Sequence, residues 1–349
     1  MPSLFALPNG EKIIYMSAAE YIAGSPELGC EFKAPPFRQS FYRVRDCLCT
    51  GNLGQNILPI KGLGKRMTIV LNESFSGEYD LATKSKTFCQ LFGKEVKNIP
   101  VAVPLFPFFN MNFWHAIFEC LPRVLALEAW GYNGPYIISH DRGATIRTLL
   151  DFCGIAPERV LTNEVDYIVA EIILAPVCAG RDLLAEPEVA GFIREAILGR
   201  VPRLSGRKRL YVRRLGFRRV LNEDEILDIL KPHGFEVMVP EEEGFAGQFS
   251  KLTNVEFSIM PHGANAALIA AQPENSVFLE LFSNSYTNYV STAIIKHLNL
   301  LYVPLVEDHY NPYAIEDGKA AQEKDIMVDV RLFRVLVENY LSHLERQKT

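Results

Sequence analysis

The strongest constraint on this chain is the alternation, from residue 67 onward, of short apolar runs with amphipathic stretches. Strand-like runs are MTIVL (67–71), VAVPLFPF (101–108), PYIIS (135–139), IVAEIILAPV (168–177), RLYVRR (209–214), FEVMVP (235–240), EFSIMP (256–261), VFLELF (277–282) and LLYVPL (300–305). Helical periodicity predicts helices between them, over roughly 81–92, 112–130, 143–153, 187–199, 222–233, 245–253, 263–272 and 286–298. Strands separated by helices of this length imply parallel sheets covered on both faces, so the expected class is α/β.

At 349 residues the alternation runs too long for one sheet and suits two domains of roughly 150 residues each. The polar, basic segment LGRVPRLSGRKR (198–209) holds Pro and Gly and reads as a linker, with the boundary near Pro202 to Gly206. The expected division is therefore 1–200, with 1–65 irregular, then 207–310, then a segment 311–349. That last segment ends in a helix over about 326–346, which has no following strand and is expected to pack back across the domains.

A net charge of −5 argues against a protein that grips a nucleic acid backbone over a broad surface. The N-terminus lacks a basic segment followed by a long apolar run, and no apolar stretch reaches the roughly 20 residues of a membrane span. The expectation is a cytoplasmic protein; PSLFALP (2–8) suits either internal packing, the usual use of so short a run, or peripheral contact at the inner face of the plasma membrane. The seven cysteines are odd in number and scattered, which fits reduced, buried thiols better than a disulfide framework or a zinc site.

Ligands of doubly wound sheets bind outside the carboxyl ends of the strands, and four constellations fall there. In NFWHAIFECLPR (112–123), His115 and Glu119 share a helix face one turn apart, as a general base near neutral pH requires; a histidine satisfied within a core is the plainer alternative. In MPHGANAAL (260–268), a strand enters His262, Gly263 and Ala264 and a small-residue helix begins. Its free N–H groups suit an anion, though an ordinary tight turn has the same look. Glu280, in VFLELF, either accepts from a ribose diol or marks the strand's exit into solvent. Arg213, Arg214, Arg218 and Arg219 lie at a strand's end and in the next loop, where guanidinium forks take phosphate oxygens; a solvated basic loop is the alternative. Asn222 with Glu225 reads as a capping box for the following helix.

In this order, these segments resemble the family 61 glycosyltransferases over roughly 105–285. NFWHAIFECLPR matches the family pattern at Asn112, His115, Glu119, Pro122 and Arg123. LYVRR and RRVLNEDE match the arginine strand and the Arg before an Asn-Glu pair. HGFEVMVPEEEGFAGQFSKL matches a Gly-Phe after the next helix, with Phe245 and Gln248, and HGANAALIAAQPENSVFLEL matches the HGA turn. One position departs: Leu268 stands where many relatives carry Asn, while Asn265 lies at a variable position.

The resemblance implies a GT-B architecture of two Rossmann-like domains facing a cleft. It implies an inverting transferase, with a nucleotide sugar, expected to be UDP-linked, as donor and a saccharide or lipid-linked acceptor, in bacterial capsule, lipopolysaccharide or exopolysaccharide synthesis. Donor-side residues would be Arg214, Arg219, His262, Gly263, Ala264, Asn265 and Glu280. The catalytic pair would be His115 and Glu119, and Asn112 and Arg123 would be acceptor-side or structural. No metal and no cofactor are expected, because the chain has no Asp-x-Asp motif and its arginines can neutralise a diphosphate. A nucleotide-sugar epimerase, a non-catalytic sugar-nucleotide-binding protein and a metal-dependent hydrolase stand as alternatives. Oligomeric state is not legible in the sequence.

Overall fold

A computed structural model describes residues 96–105, 112–140, 143–162, 164, 166–174, 187–287, 292–307 and 323–347, and the backbone of the strands between 4 and 71. The helix expected at 81–92 and part of the opening of 106–111 lie outside the described residues. The chain divides into two compact units, Met1–Leu184 and Ala185–Thr349.

The first unit is built on a sheet of ten strands. β1 (Leu4–Ala6), β2 (Lys12–Met16), β3 (Gly29–Lys33), β4 (Ser40–Cys49), β5 (Asn56–Pro59) and β6 (Thr68–Leu71) come first. β7 (Val96–Pro104), β8 (Tyr136–Ile138), β9 (Val160–Thr162) and β10 (Asp166–Leu174) follow. The order is β1-β2-β6-β5-β4-β10-β7-β8-β9, with β3 on β4. The run β10-β7-β8-β9 is parallel, and β7, β8 and β9 alternate with helices as a Rossmann-like element should. The other half corrects the expectation of an all-parallel sheet: β4 pairs antiparallel with β10, β3 and β5. Segments joined by short links can pair as hairpins without a crossover helix, and the short strands expected within 1–65 pair in this way.

Helix α1 links β7 to β8. It runs through Phe113–His115, a π turn over Ala116–Cys120, and Leu121–Trp130. Asn112 caps it, accepting from the Trp114 N–H at 2.9 Å. Pro122 explains the π turn. It has no N–H, and its ring would collide with the Phe118 carbonyl in a regular α-helix; a wider turn directly ahead relieves the clash. Leu121 to Leu127 are all buried, Arg123 among them, so this helix is enclosed all round rather than on one face. Gly131 ends it in the left-handed conformation, with φ 93°. Arg159 then fixes that end, donating to both Glu128 oxygens at 2.7 and 2.9 Å while Tyr136 donates to the same carboxylate at 2.7 Å. α2 (Ala144–Phe152) connects β8 to β9 and buries Ile146, Leu149 and Leu150.

The second unit is a five-stranded, wholly parallel sheet. Its strands are β11 (Lys208–Val212), β12 (Phe235–Met238), β13 (Val255–Pro261), β14 (Val277–Phe282) and β15 (Leu301–Val306), in the order β12-β11-β13-β14-β15. Counted within the unit this is 2-1-3-4-5, a doubly wound sheet whose connections diverge between β11 and β13. Strand residues alternate between two covered faces. Tyr211, Phe257, Ile259, Val277, Leu279 and Leu281 pack with Ile226, Ile229 and Leu230 of α4 (Glu223–Leu230). The other face carries α3 (Pro187–Leu198), α5 (Phe245–Leu252), a 3-10 helix Ala264–Ala271 and α6 (Thr292–His297).

Two features of this unit depart from the sequence reading. The division falls ahead of Pro202–Gly206 because α3 is bound into the second unit: Arg194 donates to the carbonyls of Gln272 at 2.9 Å and Leu298 at 2.8 Å. The last helix, α7 (Val330–Arg346), places Phe333, Val337, Leu341 and Leu344 in the second unit's own core, so its apolar face is used there. Each of those side chains contributes about 1.5–3 kcal/mol by leaving water.

Candidate functional site

Two clusters carry the chemistry, one in each unit. In the first, His115 lies in the opening turns of α1, after the carboxyl end of β7, and its Nδ1 is hydrogen-bonded to Glu119 Oε1. The imidazole retains 20% exposure and the carboxylate 9%, so the histidine is the member that reaches solvent. With Nδ1–H donated to Glu119, the neutral ring presents Nε2 as its acceptor, which is the form a general base needs. Glu119 Oε2 is buried with no hydrogen-bond partner among the described residues. Trp114 and Phe118 pack ring to ring at 4.1 Å on the same helix and wall the pair. Arg123, one turn beyond Glu119, is 2% exposed. Asn112 is accounted for as the helix cap.

The second cluster sits where the connections of β11 and β13 diverge. β11 runs out into Arg213 and Arg214, and β13 into His262 and Gly263. Arg213 turns away to Glu223 at 2.8 Å, sharing that carboxylate with Tyr211. Arg214 turns across: its Nε donates to the Phe217 carbonyl and its Nη1 to the His262 carbonyl at 3.4 Å. Gly263 has φ 154° and ψ −163°, a region essentially reserved for glycine. It opens the 3-10 helix Ala264–Ala271, whose first N–H groups, those of Ala264 and Asn265, precede the first intrahelical bond, Ala266 N–H to Gly263 O at 3.0 Å. Among the described residues the half-buried Asn265 amide makes no side-chain hydrogen bond.

His262 is 7% exposed and stacks on Phe282 with centroids 4.6 Å apart. Its Nδ1 meets Glu280 Oε1 at 2.6 Å, and Tyr302 donates to Glu280 Oε2 at 2.8 Å. Glu280 is fully buried with both oxygens engaged by protein. That arrangement corrects one reading of Glu280: it does not exit into solvent, and it orients His262.

Two further expectations change. Arg219 is exposed and bound to Asp325, through its backbone N–H and its guanidinium, each at 2.9 Å, so it leaves the cluster. Arg218 takes its place: its backbone is left-handed with φ 62°, and its guanidinium lies 5.5 Å from the Tyr286 ring centroid. That backbone costs roughly 1–2 kcal/mol. Asn222 does not form a capping box; its amide clasps Val328, donating to the carbonyl at 2.9 Å and accepting from the N–H at 3.1 Å. Gln248 is structural, donating to the Pro240 carbonyl at 2.9 Å.

The electrostatics of this cluster are one-sided. Burial, and next the adjacent Arg218 charge, push Arg214 down to about 10. Burial also lowers Arg218, with Tyr286 and Glu280 acting in the opposite sense. Glu241 acts in the opposite sense on Arg214, and since a guanidinium stays charged at neutral pH, both arginines hold positive charge in a half-buried setting. Among the described residues neither Arg214 nor Arg218 forms a salt bridge, and none gathers three His, Cys, Asp or Glu side chains as a metal site would. No described helix is long and apolar enough to cross a membrane.

A parallel doubly wound unit with half-buried arginines at its switch point has the chemistry to take an anionic group there. Residues 113–279 match the family described as Glycosyltransferase 61, a span that takes in His115, Glu119, Arg214, Arg218, His262 and Gly263. The match supports a family 61 glycosyltransferase, and with it a transferase of glycosyl groups that binds a sugar donor and an acceptor. No curated protein matches the chain.

Proposed function

We propose that this protein is an inverting, metal-independent glycosyltransferase of GT-B architecture that moves a sugar from a nucleotide-sugar donor to a hydroxyl of a saccharide or lipid-linked acceptor. The observation that carries the reading is the pair formed by Arg214 and Gly263 across the β11/β13 divergence, within the matched family span. The donor diphosphate rests against the N–H groups of Ala264 and Asn265, with Arg214 neutralising it. His262, held by Glu280, supplies a further donor. His115 with Glu119 takes the proton of the acceptor hydroxyl. The acceptor oxygen bonds to the anomeric carbon as the bond to the diphosphate oxygen breaks, and the nucleoside diphosphate leaves with that electron pair.

Stabilising the departing diphosphate is the demand that many transferases meet with a metal on an Asp-x-Asp motif. This chain has no such motif, and the guanidinium of Arg214 and the helix terminus fill the role. We place the reaction in the cytoplasm, in bacterial capsule or other cell-surface polysaccharide synthesis, with a UDP-linked donor.

A thermal-shift screen of nucleotide sugars, followed by product analysis on the donor that raises Tm, tests this proposal, because a ligand bound only to the folded state stabilises it. Transfer with inversion that persists in EDTA is the expected result. Epimer formation on donor alone would favour an epimerase, and loss of transfer in EDTA with recovery in Mn²⁺ would overturn metal independence.

A further inference from the structure

We propose that Arg218 and Arg214 together form a two-guanidinium clamp for a diphosphate, and that Tyr286 holds the Arg218 fork in place. The inference rests on the donor-site reading above and adds a binding residue to it.

Three observations carry it. First, among the described residues Arg218 Nε is buried with no hydrogen-bond partner and Arg214 hydrogen-bonds only to two carbonyls, so both forks keep N–H donors for a ligand. A buried, unanswered donor is costly and calls for a missing acceptor. Second, the Arg218 backbone is held left-handed, an arrangement that persists where surrounding structure imposes it, and it turns this side chain toward Tyr286 while Arg219 turns to Asp325. Third, the groups around the pair are matched to an anion. Tyr286 stands 5.5 Å from His262, and the ring of His262 is backed by Glu280, whose oxygens are both spent. Glu280 is thereby engaged by histidine and tyrosine, and among the described residues neither it nor Glu241, whose charge also acts on Arg214, forms an ion pair with either guanidinium. A diphosphate supplies at least two negative charges with oxygens spaced for two forks.

The test is titration calorimetry of the full chain with inorganic pyrophosphate, inorganic phosphate and uridine diphosphate. Wild type is expected to bind pyrophosphate and uridine diphosphate more tightly than phosphate. R218A should weaken both by roughly tenfold or more, as one or two charge-assisted hydrogen bonds are lost. R218K, which keeps the charge without the fork, should fall between, and Tyr286→Leu should weaken binding less than R218A. R219A should bind as wild type. If R218A does not fold, R218K carries the test.

Wild-type affinity in R218A or R218K, or an equal loss in R219A, overturns the clamp; so does absence of pyrophosphate binding to wild type. The outcomes separate the two readings. Sugar transfer with an R218A that binds normally removes the clamp and leaves the transferase. Loss of pyrophosphate binding in R218A, in a protein that transfers no sugar, keeps the clamp and removes the transferase.

Discussion

A Cβ added to Gly263 would sit 1.9 Å from Nη1 of Arg214. The Arg214 guanidinium thus fills the place a side chain at 263 would take, and the loop after β11 is seated on the turn after β13. Gly263→Ala must displace the guanidinium and also strain a backbone at φ 154°. It should weaken uridine diphosphate binding by roughly tenfold or more and cost about 1–3 kcal/mol of stability. Calorimetry and urea denaturation read the two effects separately, and wild-type affinity would show that the Arg214 position is immaterial.

The His115–Glu119 pair predicts a split between chemistry and binding. His115→Ala should lower kcat by roughly 10²–10⁴-fold while leaving donor affinity unchanged. Glu119→Gln keeps a hydrogen-bonding oxygen and removes the charge. A small loss would make Glu119 an orienting group, and a loss equal to that of His115→Ala would make the two a single proton-accepting unit. Rates measured at saturating donor decide.

Gln272 is fully buried and fully used. It accepts from Ser258 at 2.7 Å and donates to Ser276 and to the Val277 carbonyl at 2.9 Å each. Gln272→Leu strands those partners in the core beneath the 3-10 helix. The expected loss is about 2–4 kcal/mol, seen as a lower urea midpoint with an unchanged slope.

Asn222→Ala releases the backbone of Val328. Two hydrogen bonds near 3 Å are lost, for a cost of about 1–2 kcal/mol. Because Asn222 makes no cap bond, helix α4 should keep its amide protection while residues 325–328 exchange faster. Faster exchange at the start of α4 instead would restore the capping role.

How much of this was legible follows from what local patterns encode. VFLELF and EFSIMP are buried on both faces, and their largely apolar composition, interrupted by Glu280 in one and by Glu256 and Ser258 in the other, reads as parallel strand. β9 has three half-buried residues, too few for a period to declare itself. The antiparallel pairing of β4 with β10 joins Tyr42 to Leu174, and nothing within either segment specifies so distant a partner. Arg218 and Arg219 are adjacent and chemically identical. Only the left-handed backbone at Arg218 decides which enters the cluster, and a lone non-glycine residue gives no sequence sign of it. Asn222 shows the opposite failure: a sound local capping signal overridden by Val328 from over a hundred positions away. Glu280 was noticed as an oddity, but Tyr302 and His262 reach it only through the register of β13, β14 and β15.

The π turn at Ala116–Cys120 has a consequence for how this helix can vary. A π turn is one residue more than an α turn, so it acts as an insertion already accommodated, rotating everything before it by roughly 100° relative to everything after. His115 lies before the turn; Leu121, Val124 and Leu127 lie after it and are fully buried. Deleting a single residue from 116–120, with Pro122→Ala to remove the ring clash, would allow a regular helix and leave the contacts after the turn in phase, yet swing the imidazole a quarter-turn off its bearing. The aim of the histidine is thus encoded in a residue count, independently of which residues make up the count.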